Sequence, residues 1–287
     1  MLADITYDIK NLKCQYSSGH YPVLEIDALQ LHKGIVYYFI GASGVGKSTL
    51  LETLGMMNNT ILNSADTVLD FYSSGSKVNL AELWGQREVD LARFRKNNLS
   101  FIFQNTNLFE NLTAYENAQI SPIISGLENL TAERIADDLL PKLFEYEFVE
   151  AIKGGRTVQE MSGGERQRLS FVRALGSSFE ALFADEPTGN LDHHNAHRLA
   201  KLITEHVHEN KKMAVVVSHD INLALAHADV IVVIEKVQKI EGGGNRLYGR
   251  IGRGSLYERL DEANWKDSDG KSITISTLKE DLQRAIR

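Results

Sequence analysis

The segment Gly41-Ala42-Ser43-Gly44-Val45-Gly46-Lys47-Ser48 sets glycines, a lysine and a hydroxyl at the spacing G-x-x-x-x-G-K-[ST], a pattern whose chemistry is phosphate binding. The glycines let backbone N–H groups turn inward on an anion, Lys47 reaches the outer phosphates, and the Ser48 hydroxyl is an oxygen ligand for magnesium. Asp185 and Glu186 close the apolar run Ala181-Leu182-Phe183-Ala184. One carboxylate of such a pair can hold a metal ion and the next can face an attacking water. Alone the pair says little; beside a phosphate loop it points to hydrolysis of a nucleoside triphosphate. A second anion nest stands in Met161-Ser162-Gly163-Gly164-Glu165-Arg166-Gln167-Arg168, where a serine and two glycines precede an apolar helical run. A nucleotide with one phosphate loop does not need two such nests.

These residues need a sheet edge to converge on. Short apolar runs recur at Ile35 to Ile40, Leu99 to Phe103, Ala181 to Ala184, Met213 to Val217 and Val230 to Ile234, as in parallel strands buried on both faces. The first run leads through the Gly-rich turn into Ser48-Thr49-Leu50-Leu51-Glu52-Thr53-Leu54, whose apolar spacing is helical. Strand, loop and helix in that order place the phosphate loop in its working context. The reading is an α/β fold: a P-loop NTPase core with a parallel sheet, an N-terminal antiparallel β subdomain over residues 4 to 33, and an inserted α-helical subdomain. Residues 107–175 carry the insertion, with Thr131-Ala132-Glu133-Arg134 expected to open a helix by a capping-box pattern and Pro141 to start or interrupt another. Between Asn58 and Gly85 a hairpin is expected, turning near Ser73-Ser74-Gly75-Ser76. The division is then residues 1–106 and 176–240 for the core, 107–175 for the helical part, and 241–287 for a C-terminal extension opening at Gly242-Gly243-Gly244.

With both nests in place, the sequence resembles the ATP-binding cassette (ABC) family of transporter nucleotide-binding subunits. The resemblance continues in order over roughly residues 5 to 237. Gln104, after Ser100-Phe101-Ile102-Phe103, matches the family's Q-loop; Gly189-Asn190-Leu191-Asp192 matches its D-loop; Ser218-His219-Asp220 matches its switch histidine. Tyr16 resembles the aromatic residue that stacks on adenine, and Tyr21 is the competing candidate. The string from Ala184 to Asp192 looks most like the branch of lipoprotein-release, macrolide-efflux and cell-division ATPases, and also occurs in peptide-antibiotic and amino-acid systems. Glu165 stands where the signature more often has Gln, and Met161 where it has Leu.

The resemblance implies an ATPase with ATP and Mg2+ as cofactors. Tyr16 and Gly41, Ala42, Ser43, Gly44, Val45, Gly46, Lys47, Ser48 and Thr49 would bind the nucleotide, and Ser48, Gln104 and Asp185 the magnesium. Glu186, His219, Gln104 and Lys47 would carry the catalysis. Ser162, Gly163, Gly164 and Glu165 would close over the ATP held by a second copy in a head-to-tail dimer. An integral membrane permease is the other implied partner, docked beside Gln104 and Thr113-Ala114-Tyr115-Glu116-Asn117. That places the chain on the cytoplasmic face of the inner or plasma membrane. The alternative is a soluble, non-transport ABC ATPase acting on DNA or ribosomes. Against chromosome-organising members, only about 115 residues separate Gly46 from Ser162 and no heptad-bearing coiled coil lies between them. Against translation-factor members, each motif occurs once.

Composition agrees with these expectations. The 287 residues, 43% of them hydrophobic, suffice for two domains or one large core with an insertion, and disorder or a collagen repeat is excluded. With 31 Lys+Arg against 38 Asp+Glu the net charge is −7, so no nucleic-acid partner is expected. The single cysteine, Cys14, reads as a packed thiol. No signal peptide and no membrane-spanning apolar window is expected. The histidines at 193, 194, 197, 206 and 208 are read as mostly solvated rather than as a metal site, and Arg93, Arg95 and Lys96 as a solvated helix face. Leu278, Leu282 and Ile286 repeat at helical spacing and are expected to pack on the core or a dimer surface.

Overall fold

The computed structural model describes every residue except 1–3, 20, 74, 190, 242–243 and 287. The chain begins with β1 (Ile5–Cys14), β2 (Leu24–His32), β3 (Ile35–Ile40), α1 (Lys47–Leu54), β4 (Val68–Ser73), β5 (Ser76–Asn79), α2 (Leu80–Leu83), α3 (Glu88–Asn98) and β6 (Leu99–Ile102). The helical insertion follows as α4 (Ala114–Ile124), α5 (Asn129–Leu143), α6 (Tyr146–Lys153) and α7 (Gly163–Leu175). The chain then returns through β7 (Ala181–Asp185), α8 (His193–Asn210), β8 (Met213–Val217), α9 (Ile221–His227) and β9 (Val230–Val233). It closes with β10 (Glu235–Glu241), β11 (Gly244–Ile251), β12 (Leu256–Arg259), β13 (Asn264–Asp267), β14 (Ser272–Thr274) and α10 (Ile275–Ala285).

Two sheets organise the molecule. One runs in the order β10-β11-β2-β1-β4-β5, the other β14-β13-β12-β9-β3-β8-β7-β6. In the second, β6, β7, β8, β3 and β9 are all parallel, and their continuous apolar runs are explained by burial on both faces. Along β3 the side chains alternate: Val36, Tyr38 and Ile40 face the helical layer, while Tyr37 and Phe39 face the other sheet. Strand β8 divides in the same way, Ala214 and Val216 against Met213, Val215 and Val217. The parallel sheet is therefore the middle of three layers, and its C-terminal edge is where a ligand site forms.

Three expectations change in detail. The helix expected to open at Thr131 starts at Asn129, with Glu128 at its N-cap and no side-chain cap. Pro141 lies inside that helix, in its last turn. The capping boxes are instead Thr113 with Glu116, Thr157 with Glu160, and Ser162 with Glu165. Arg95 is not simply solvated, since it donates to the Met56 carbonyl at 2.8 Å. The expected hairpin forms as β4 and β5, with Ser73 opposite Ser76.

The C-terminal stretch is continuous with the core sheet. Strand β12 pairs antiparallel with β9, β13 with β12 and β14 with β13. Leu278 and Leu282 are fully buried in the same cluster as Val36 and Leu182, beside Trp265. No helix among the described residues is long and apolar enough to cross a membrane.

Candidate nucleotide site

The phosphate loop leaves β3 and enters α1 through Gly46, which caps the helix in the left-handed region at φ 95°. A side chain there would be strained, and its Cβ would also approach Leu24 Cβ and the Val23 carbonyl to 3.2 Å. Lys47 Nζ donates to the Gly41 and Ala42 carbonyls at 2.8 and 2.9 Å, so the ammonium arches back over the loop. Burial lowers its pKa, and Glu186 and Asp185 oppose that shift. Ser43, Gly44 and Ser48 are exposed, while Thr49 is buried. The Tyr16 hydroxyl meets Thr49 Oγ1 at 3.1 Å and donates to Glu52 Oε2 at 3.0 Å, which sets its ring beside the first turns of α1. Tyr21 is half exposed and lies under the Arg246 guanidinium, 4.9 Å from the ring centre.

Asp185 and Glu186 end β7 at the same sheet edge. Burial pushes the Asp185 carboxyl above the usual carboxylate range, Glu186 adds to this, and Lys47 opposes it. Glu186 takes φ 44°, left-handed backbone for a side chain with no glycine freedom. Its N–H donates to the Val217 carbonyl at 3.0 Å, which fixes the turn against the neighbouring strand. His219 Nδ1 stands 2.8 Å from Glu186 Oε2, with the imidazole largely exposed. Behind it, Ser218 Oγ accepts from the Asp220 N–H, and Asp220 caps α9. The structure thus brings Lys47, Asp185, Glu186 and His219 to one sheet edge.

The second nest opens on a groove that none of these four residues lines. Ser162 caps α7 and accepts from the Glu165 N–H at 3.3 Å, while Glu165 accepts from the Ser162 N–H at 2.7 Å. Ser162 and Gly163 are exposed. Gln104 is exposed beyond β6 and shares a groove of about 520 Å³ with Asn107, Gly163, Gly164 and Gln167. Of the D-loop match, Asn190 lies outside the described residues; Asp192 caps α8 by accepting from the Asn195 N–H at 2.9 Å. Among the described residues no group of three His, Cys, Asp or Glu is placed to hold a metal ion.

One residue escapes sequence reasoning. Gln167 is 2% exposed and donates to the Pro187 carbonyl at 2.7 Å and to the Phe103 carbonyl at 3.4 Å. It ties α7 to the residue after Glu186 and to the residue before Gln104. The available signal was a polar residue on the buried face of an amphipathic helix, where a polar group needs partners.

A phosphate loop at the carboxyl edge of a parallel sheet, faced by an acid pair, defines a nucleoside-triphosphatase site of the P-loop class. The ABC transporter family model matches residues 24–189. The lipoprotein-releasing system ATP-binding protein LolD of Pseudoalteromonas translucida is 35% identical over 224 residues, covering 77% of this chain and 89% of its own. The macrolide export ATP-binding/permease protein MacB of Shewanella sp. (strain ANA-3) is 33% identical over 214 residues; these make up 74% of this chain but only 30% of the MacB length. Among solved structures, the dimeric bacterial ABC transporter cassette MJ0796 superposes with a TM-score of 0.67 at 25% identity, over 88% of this chain and 98% of that one. Its post-hydrolysis dimer bound to ADP and Pi gives 0.66. The chain belongs to the ABC transporter ATP-binding family, and ATP hydrolysis is the activity of that family.

Proposed function

We propose that two copies of this chain sandwich two ATP molecules head to tail and drive a separate membrane subunit by closing and reopening, in the manner of a lipoprotein-release or macrolide-efflux ATPase. In this reading Lys47 and the amides of residues 41–49 neutralise the phosphates, and Tyr16 stacks on the base. Ser48, Gln104 and Asp185 offer hydroxyl, amide and carboxylate oxygens, the hard donor set that suits Mg2+. Bound there, Mg2+ would offset charge on the phosphate oxygens. Glu186 polarises the attacking water and His219 contacts the γ-phosphate. Ser162, Gly163, Gly164 and Glu165 of the other copy complete the site. ATP then favours the closed pair over the open one, and that difference is the work output.

The observation that carries the reading is Glu186 itself, held in left-handed backbone, 2.8 Å from His219 and electrostatically facing Lys47. The exposure of Ser162 and Gly163, with no residue of 41–49 lining the groove at Gly163 and Gly164, supports a site completed by a partner copy. The reading keeps the division into core, helical insertion (107–175) and extension (241–287), the extension completing one edge of the core sheet. The groove beside Gln104 is where a permease would dock, with the cassette peripheral on the cytoplasmic face.

Glu186→Gln tests this. The variant is expected to bind ATP, elute as a dimer in its presence, and lose turnover by about a hundredfold or more. Brisk hydrolysis by the variant sinks the assignment. Purified from detergent-solubilised membranes with ATP, it should carry an integral membrane protein in stoichiometric amount. Recovery of a soluble homodimer alone, or of ribosomes or DNA, would move the function to the non-transport class.

A further inference from the structure

The hairpin of β10 and β11 does more than follow the core. Strand β11 joins β2 in parallel, Gly249 opposite Leu24, and the Gly249 N–H donates to the Val23 carbonyl at 3.0 Å. Gly249 also presses on the phosphate loop: a Cβ there would fall inside the shell of the Val45 carbonyl oxygen and 2.8 Å from Ile234 Cγ2. The hairpin is thereby fixed to the back of the loop that cradles phosphate.

Three residues earlier on the same strand, Arg246 reaches the segment between β1 and β2. Its guanidinium donates to the Pro22 carbonyl at 2.7 Å and lies over two rings, Tyr21 at 4.9 Å and Tyr248 at 5.0 Å. Tyr248 is 9% exposed, so it gives the guanidinium a fixed floor. That same segment carries Tyr16, pinned to α1 at Thr49 and Glu52. Tyr16 is therefore held by α1, and Tyr21 and Pro22 by Arg246. A planar cation over two aromatic rings, with a hydrogen bond to backbone, restrains a loop more than a flexible ammonium does.

We propose that the β10–β11 hairpin braces the base side of the nucleotide site, and that Arg246 is a positioning residue that, by holding Tyr21 and Pro22, keeps Tyr16 against the adenine ring. The inference rests on the reading of Tyr16 as the base-stacking residue. A brace on the base differs from a part of the phosphate cradle, because it acts only on ligands that have a base. It prepays the ordering of the segment, so its loss appears as weaker nucleotide affinity.

The test compares MgATP with inorganic tripolyphosphate, by calorimetry, for the full chain and for Arg246→Ala, Arg246→Lys and Tyr16→Ala. Arg246→Ala is expected to weaken ATP about fivefold and tripolyphosphate less than twofold, with Arg246→Lys intermediate. Equal weakening of both ligands would overturn the proposal, since the hairpin would then act through the phosphate loop or the fold. Unchanged ATP affinity in Arg246→Ala together with weakened ATP binding in Tyr16→Ala would overturn the brace alone. Unchanged ATP affinity in both would overturn the Tyr16 reading, and the brace with it. Because Arg246→Lys keeps a cation and a donor, it reads the same contrast even if Arg246→Ala folds poorly.

Discussion

Glu186 sits where chemistry and backbone cost meet. Left-handed backbone costs a non-glycine residue about 1–2 kcal/mol, and glycine at the same site would lose about 0.5–1 kcal/mol of that gain to its freer unfolded chain. Glu186→Gly is therefore expected to raise stability by about 0.5–1 kcal/mol while abolishing turnover, read as a urea midpoint beside an ATPase assay. A Gly variant less stable than wild type would show that Glu186 is not strained. Tyr16 and Tyr21 diverge at the same scale. Tyr16 packs its hydroxyl on Thr49 and Glu52, whereas Tyr21 is turned under Arg246. Tyr16→Ala should weaken ATP binding about tenfold, more than Tyr21→Ala does, and unchanged affinity in Tyr16→Ala would hand the stacking role to Tyr21. That Lys47 opens α1 and that Asp185 ends β7 was legible from the motif and the apolar run before it, while His219 was singled out only through the family resemblance. The φ of Glu186 and the buried bonds of Gln167 were not legible, because both depend on what the tertiary fold packs beside them.

At the scale of elements, the parallel strands were legible from unbroken apolar runs, and the alternation of β3 between two cores follows from its period of two. The helix starts were less so. Thr131 offered a capping pattern that the chain does not use, because α5 begins at Asn129, two residues ahead of it, with its apolar stripe Ala132, Ala136, Leu139, Leu140 and Leu143 already facing the core. Packing of that stripe outweighs a cap contributing about 1 kcal/mol. The tail illustrates the reverse case. Leu278 and Leu282 announced a helix by spacing, yet only the strands β12 to β14 explain why it docks, since they carry it onto α9 beside buried Trp265. Leu282→Ala should accordingly cost about 2–4 kcal/mol in a denaturant titration. A loss below about 0.5 kcal/mol would mark α10 as an appendage.

Over the whole molecule, acid should loosen the helical layer before it reaches the carboxylates. His206 on α8 stacks on Phe179 at 5.7 Å, and burial, with Lys142 and Lys212 nearby, holds its pKa down to about 4 against a partial opposing pull from Asp138. His227, at the end of α9, meets His197 Nδ1 at 2.9 Å and is likewise held down to about 4 by burial and by His197, Arg259 and Lys201. In sequence His206 read as part of a mostly solvated histidine-rich helix, since nothing in its spacing reveals that α8 turns it inward. The sign follows from proton uptake. The unfolded chain protonates both rings near pH 6.5, the folded chain only near pH 4, so stability is complete above about 6.5 and falls as the pH drops toward 4. Two partly exposed groups should together remove about 2–4 kcal/mol, discounted for solvent screening. Urea midpoints at pH 7.5 and 5.5 should show the start of this loss in the wild type and a flatter profile in His206→Gln/His227→Gln. An equally steep decline in the double variant would place the acid sensitivity elsewhere. Because α8 begins just after Asp192 and α9 two residues after His219, the same titration should weaken the proposed ATP-driven closure at pH 5.5 in the wild type and spare it in the variant, read as dimer formation by Glu186→Gln in each background.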